Sequence, residues 1–321
     1  MWQKLFLASL TISITSIGIV GAANYYGENL KTAQQFRPAT NTQPQQVVVA
    51  PIVKQITFPK VEINALGGYV GRVDLESGTI TPIYLKNQHK SLPIASISKL
   101  VTAYVATQNR KLSDTFDITD WAISGPWPSH KFTVGDTYTL GELLKAALVE
   151  SNNDAARVLA SSIGERNFVQ KMNTAAVGLS LTDTKLYSSD GTERMFSDTW
   201  VENTSTAEDI AHLIVNLYKT SPELLRVTTK QSVLVSDVTG TKTFTAYSTN
   251  RLMSYFSNNY TLLGGKTGTS DLERKHLVVL FQDNQGNAYV AVVLQSKDNF
   301  SDMTVLLDAI TQYKQQLYAK S

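Results

Sequence analysis

Pro93-Ile94-Ala95-Ser96-Ile97-Ser98-Lys99-Leu100 decides the reading of this chain, because it sets a serine and a lysine three residues apart at the start of an apolar helical run. On a helix, positions i and i+3 share a face, so the Lys99 amine can sit beside the Ser96 hydroxyl. A serine hydroxyl is a poor nucleophile until its proton is taken, and a neutral lysine held close can take it without a histidine or an aspartate. Such a lysine must be kept neutral near pH 7, which calls for burial and a second cation in reach. Lys266 is the candidate for that cation. By itself Ser-x-x-Lys is an everyday pattern of solvated helix faces. Here it occurs once, in apolar surroundings.

Working outward, the run from Leu100 to Asn109 continues the helix, and before it the alternation from 67 to 84, broken at Glu76-Ser77-Gly78, is a hairpin signature. The stretch 114–136, with Trp121, Trp127 and two prolines, reads as a long excursion walling a binding groove. Apolar periodicity predicts helices over 140–149, 155–163, 166–177, 205–217 and 303–318, with a short one after Ser221-Pro222-Glu223. Ser151 and Asn153 have an ordinary role available as caps of the 155–163 helix. Ser205-Thr206-Ala207-Glu208 reads as a capping box. From 261 onward, three strand-like runs joined by Asp283-Asn284-Gln285-Gly286-Asn287 predict an antiparallel meander.

The N-terminus reads separately. One lysine, Lys4, precedes a stretch from 5 to 23 without a charged residue, the pattern of an export signal that is either cleaved or kept as a membrane anchor. Residues 24–60, rich in Gln, Asn, Thr and Pro, read as a flexible polar linker. The globular domain is expected over 61–321. Either fate of the signal puts that domain outside the cytoplasm, with possible attachment to the membrane through residues 5–23.

Composition narrows the chemistry. A net charge of +2 over 321 residues, without basic runs, carries no footprint of a nucleic-acid partner. The absence of cysteine excludes disulfides, thiolate catalysis and Cys-ligated metal. His89, His130, His212 and His276 are far apart and lack ligand spacing, so they read as structural or surface residues, and no cofactor is expected.

Three pieces line up in order: Ser96-x-x-Lys99, Ser151-x-Asn153 and Lys266-Thr267-Gly268. Ser-x-Asn recurs at Ser248-Thr249-Asn250 and Ser257-Asn258-Asn259, in what reads as strand-flanking polar sequence, whereas Ser151 lies between two helices and between the other two motifs. Glycines at 264, 265 and 268 would let a ligand backbone lie against the strand and leave room over the serine.

The combination resembles the low-molecular-mass penicillin-binding proteins, the serine-type D-alanyl-D-alanine carboxypeptidases. Ala95 to Ala103 match that family's first motif and Ser151 to Ala156 its second, and the likeness runs on through Val177-Gly178-Leu179, Ser205 to Asp209, Asn250-Arg251-Leu252 and Leu263 to Thr269. The resemblance implies an α/β (α+β) penicillin-binding-protein/β-lactamase-like transpeptidase fold, an antiparallel sheet flanked by helices with a helical subdomain. It implies Ser96 as nucleophile, Lys99 as base, Ser151 as proton donor to the leaving amine and Asn153 as orienter of Lys99. Lys266, Thr267, Gly268 and Thr269 would bind the substrate, a peptidoglycan stem peptide ending in D-Ala-D-Ala, and β-lactam antibiotics would be covalent inhibitors. A β-lactamase, an endopeptidase or transpeptidase, and an inactive wall-binding relative are the alternatives. No glutamate between Ser151 and Lys266 has an asparagine four residues later, which argues against a class A β-lactamase.

Overall fold

The computed structural model describes residues 57–270 and 273–318. The export-signal stretch and most of the polar linker lie outside the described residues. Of the linker, only 57–60 is described, and there Phe58 already packs against the rings of Tyr84 and Tyr313.

Strands β1 (Gly67–Val73) and β2 (Ile80–Lys86) form the expected hairpin. With β3 (Thr261–Thr269), β4 (Lys275–Gln282) and β5 (Ala288–Ser296) they make one antiparallel sheet in the order β3-β4-β5-β1-β2. The first strand thus closes on the last, with Gly67 opposite Leu294 and Val73 opposite Ala288.

Period-2 alternation assigns the two faces of this sheet. Leu277, Val279, Phe281, Tyr289, Ala291 and Val293 pack in one core with Met303, Leu306, Leu307 and Ile310 of the C-terminal helix. Val278, Leu280, Val290, Val292 and Leu294 pack in the other, with Ile210, Leu213, Ile214 and Leu217. Both faces are covered, which is why β4 and β5 read as unbroken apolar runs.

Nine helices are described: α1 (Lys99–Thr107), α2 (Asp120–Ile123), α3 (Leu140–Val149), α4 (Asn153–Ser161), α5 (Glu165–Gly178), α6 (Ala207–Thr220), α7 (Pro222–Val227), α8 (Met253–Asn259) and α9 (Asn299–Tyr318). The second core continues from the sheet through α6 into α1, α3, α4 and α5, the helical subdomain.

Several expectations are corrected in detail. The 114–136 excursion is not structureless: Thr115–Asp117 pairs with Thr137–Thr139, and α2 lies between. Ser257-Asn258-Asn259 ends α8, a helix that its polar residues hid. The cap of α6 is one residue later than read: the Thr206 hydroxyl accepts from the Asp209 N–H, while Glu208 is occupied with His89 at 2.9 Å.

Candidate active site

Ser96 lies in a 3₁₀ turn, Ala95–Ser98, that runs directly into α1. The sequence predicted an α-helix there. The 3₁₀ turn nearly eclipses positions i and i+3, so the two side chains line up one above the other along its axis. Lys99 Nζ stands 2.8 Å from Ser96 Oγ, 2.7 Å from Asn153 Oδ1 and 2.5 Å from the Asp190 carbonyl oxygen. The turn is held in an unusual backbone: Ala95 has φ +46°, a region that non-glycine residues rarely occupy.

Asn153 comes from the first turn of α4, and neither it nor Ser151 is the cap. Asn152 is, its side chain accepting from the Ala155 N–H at 3.0 Å. That division of labour leaves both neighbours facing the cleft, with Ser151 in a left-handed conformation at φ +64°. Ser151 Oγ accepts from Lys266 Nζ at 2.8 Å, and Lys266 donates also to the Thr267 carbonyl at 2.9 Å. The three sequence-distant motifs therefore converge on one place, through α1, the α3–α4 junction and the edge strand β3.

The charges differ from the expected arrangement. Lys99 is fully buried, and this burial is the main reason its pKa falls to about 7; Arg157 and Arg194 push it down further, and Asp190 opposes them. Lys266, nominated as the cation acting on Lys99, is itself held well below the usual lysine range, by burial first and then by the charge of Lys99. Behind Lys99 the buried Arg157 ties the surroundings together. It pairs with Asp154 and with Asp190, the latter at 2.5 Å, and donates to the carbonyls of Ala122 at 2.6 Å and Pro126 at 3.1 Å. The sequence reading overlooked this arginine, whose only visible signal was an isolated charge inside the otherwise apolar run of α4.

The glycines of β3 are also required by the packing of the strand. A Cβ on Gly264 would sit 2.7 Å from Leu225 Cβ, and one on Gly265 would sit 2.9 Å from the Val278 carbonyl. At Gly268 it would meet the Ile94 carbonyl at 2.9 Å. A Cβ at any of these positions would meet the protein's own backbone or side chains, and Gly268 also lines the cleft beside Ser96.

Ser96, Asn153 and Thr269 line two adjoining clefts. One, of about 510 Å³, adds Ser151, Thr249, Arg251 and Thr267. The other, of about 730 Å³, adds Trp127, Gly191, Glu193, Glu202 and Ser270. Thr249 belongs to the discounted Ser-x-Asn match, yet its hydroxyl is 2.5 Å from that of Thr267. Among the described residues, no group of three or more His, Cys, Asp or Glu side chains could hold a metal ion. His276 is buried and its pKa is pushed down to about 3, so it is neutral, with Nδ1 accepting from the Gln295 N–H.

Comparison with known proteins agrees with this geometry. Residues 60–298 match the family described as D-alanyl-D-alanine carboxypeptidase. A relative from Streptomyces sp. (strain K15), named D-alanyl-D-alanine carboxypeptidase, is 27% identical over 258 residues, 74% of this chain and 82% of that one. Another from Escherichia coli (strain K12), named D-alanyl-D-alanine endopeptidase, is 28% identical over 243 residues, 74% of this chain and 73% of that one. The structure of penicillin-binding protein D2 from Listeria monocytogenes in its cefotaxime-bound form superposes with a TM-score of 0.65 at 26% identity, over 78% of this chain and 98% of that one. With a match over most of its length and the same architecture, the chain belongs to the D-alanyl-D-alanine carboxypeptidase family, in the penicillin-binding-protein fold.

Proposed function

We propose that this protein removes the terminal D-alanine from peptidoglycan stem peptides through an acyl-enzyme on Ser96, acting outside the cytoplasm. The observation that carries the reading is the hydrogen bonding of Lys99. A neutral lysine has two N–H bonds and one lone pair. Two of its three partners, the Asn153 amide oxygen and the Asp190 carbonyl, can only accept. They take the two protons, and the lone pair is left for the Ser96 hydroxyl, which is the arrangement a general base needs.

The Ser96 oxygen attacks the carbonyl of the penultimate D-alanine while its proton passes to Lys99. The backbone N–H groups of Ser96 and Thr269 receive the oxyanion, contacts worth roughly 3 kcal/mol each. Ser151, bonded to Lys266, hands the departing amine a proton that is made good by the one Lys99 took, and water then hydrolyses the ester, its OH going to the acyl carbon and its remaining hydrogen back to Ser96 Oγ. Lys266 with the Thr267 and Thr269 hydroxyls binds the terminal carboxylate, and Gly268 lets the strand that carries them close on the serine turn.

A fluorescent penicillin should form a long-lived ester on Ser96, mapped by peptide mass spectrometry and absent from Ser96→Ala. Equal labelling of both would reject the nucleophile. A second reading, endopeptidase or transpeptidase, is favoured by the names of relatives: the Escherichia coli one is called an endopeptidase, and the Streptomyces one is called a DD-transpeptidase in its solved structure. Product analysis on purified peptidoglycan separates the three, because free D-alanine, cleaved cross-links and new cross-links are distinct products.

A further inference from the structure

Beside the larger cleft lies a second groove, of about 320 Å³, which the chemistry above does not use. Trp121 of α2 and Pro126 form one wall. The other is a two-stranded ribbon, Arg194–Phe196 paired with Thr199–Val201, in which Met195 stands opposite Trp200 so that both side chains share a face. Trp121, Met195 and Trp200 are 47%, 55% and 63% exposed, although they are large apolar side chains that ordinarily avoid water. The walls are fixed in place. Arg157 donates to the Ala122 carbonyl beside Trp121 and pairs with Asp190, and Asp190 in turn holds Arg194 at 3.0 Å.

The direction of the substrate identifies what reaches this groove, an argument that rests on the function proposed above. With the terminal carboxylate at Lys266 and the scissile carbonyl at Ser96, the upstream part of the stem peptide must run into the cleft lined by Thr269, Gly191 and Glu193. Glu193 lines both that cleft and the aromatic groove. Gly191 abuts Ser96, since a Cβ on it would lie 2.9 Å from the Ser96 nitrogen, and four residues on, Met195 is in the groove. Four extended residues span at most about 14 Å, and the acyl part of a pentapeptide is itself four residues long. What is attached to the stem's N-terminus is therefore within reach of the groove lined by Trp121 and Trp200. In peptidoglycan that is a sugar of the glycan strand. A pyranose offers an apolar C–H face and a rim of hydroxyls, matching a groove lined by the large apolar Trp121, Met195 and Trp200 together with the polar Arg194 and Glu193.

We infer that the groove between Trp121 and Trp200 is a saccharide subsite that makes this protein prefer glycan-linked stem peptides over free ones. The test compares D-alanine release from a pentapeptide and from the same pentapeptide carrying its disaccharide, using wild type and Trp121→Ala/Trp200→Ala. Wild type should favour the disaccharide substrate in kcat/KM by about tenfold, the scale of one or two aromatic contacts. The double variant should lose that preference, with its rate on the free pentapeptide and its penicillin labelling of Ser96 kept within about threefold, as expected for exposed positions. Equal rates on the two substrates in wild type, or a preference that survives in the variant, would overturn the subsite.

A failure of the catalytic reading looks different, since neither substrate would then release D-alanine. Tryptophan fluorescence titrated with the free disaccharide tests the groove independently of turnover: a saturable change lost in the double variant supports it, and no change overturns it. Variant-sensitive binding to phosphatidylglycerol vesicles without a saccharide response would also overturn it, pointing to a lipid surface.

Discussion

Lys99 is buried at a place where its charged form is costly, and in the proposed mechanism that cost makes it available as a base. With its pKa lowered to about 7, Lys99 is mostly protonated in acid and mostly neutral above pH 7. The rate of Ser96 acylation by a penicillin should therefore rise with pH through a midpoint near 7, and a flat profile between pH 5 and 9 would exclude Lys99 as the group that titrates. Lys99→Ala should lower the acylation rate by about 10²- to 10⁴-fold, the usual worth of a positioned base. Lys266 gives the complementary prediction. Buried and facing the charge of Lys99, it is held well below the ordinary lysine range, and a carboxylate bound beside it would push that pKa back up. Binding of a D-Ala-D-Ala peptide to Ser96→Ala should then take up protons and weaken as pH rises. Calorimetry in two buffers of different ionisation enthalpy reads the uptake directly, and identical heats in both would rule it out.

At the scale of elements, the site depends on how closely the 3₁₀ turn, β3 and the loop at Gly191 approach one another. Gly191 has φ +83°, and a Cβ there would lie 2.6 Å from the Ala95 carbonyl oxygen. Backbone cannot swing aside as a side chain can, so Gly191→Ala should cost roughly 1–3 kcal/mol and displace the serine turn. Gly240 is the control: φ +73°, with nothing within 4 Å of its Cβ position. Gly240→Ala should cost about 1 kcal/mol and leave acylation unchanged. Urea denaturation alongside penicillin labelling measures both effects, and equal labelling in the two variants would disprove the contact. The same distinction explains what the sequence could reveal. Helix α3 was legible because its burial is written as periodicity along one segment, and strands β4 and β5 because theirs is written as unbroken apolar runs. The packing roles of Gly264, Gly265 and Gly268 were not, because Leu225, Val278 and Ile94 reach them from elsewhere in the chain. Asn152 was passed over as a cap since three adjacent polar residues offered equal candidates, and α8 was hidden by the polar residues that end it. The three motifs around Ser96 were legible through their resemblance to a known family in residue type and order, and the structure brings them together.

Across the whole molecule, the cleft is a seam between the sheet and the helical subdomain, and Arg157 secures the helical side of it. Its guanidinium joins α4 to the α2 carbonyl end, to Pro126 and, through Asp190, to the loop whose carbonyl receives Lys99. Arg157, Asp154 and Asp190 are all buried, so removing the cation leaves carboxylates without a counter-charge in a medium that solvates them poorly. Arg157→Met should therefore cost about 3–5 kcal/mol, a large share of the 5–15 kcal/mol typical of a domain. The pH dependence distinguishes lost charge pairing from lost packing. In wild type burial pushes the Asp190 pKa up, but Arg194, Lys99, the Thr192 N–H and Arg157 together outweigh it and hold it at about 2, so its ionised form contributes stability that is full above pH 3.8 and lost as pH falls towards 2. In the variant the carboxylate has lost a cation, its pKa rises, and protonation relieves the penalty at a higher pH. The stability gap between wild type and Arg157→Met should accordingly be widest near pH 7 and narrow on going to pH 4. Urea unfolding at the two pH values measures it. A gap that stays constant would mean that Arg157 contributes volume and not charge.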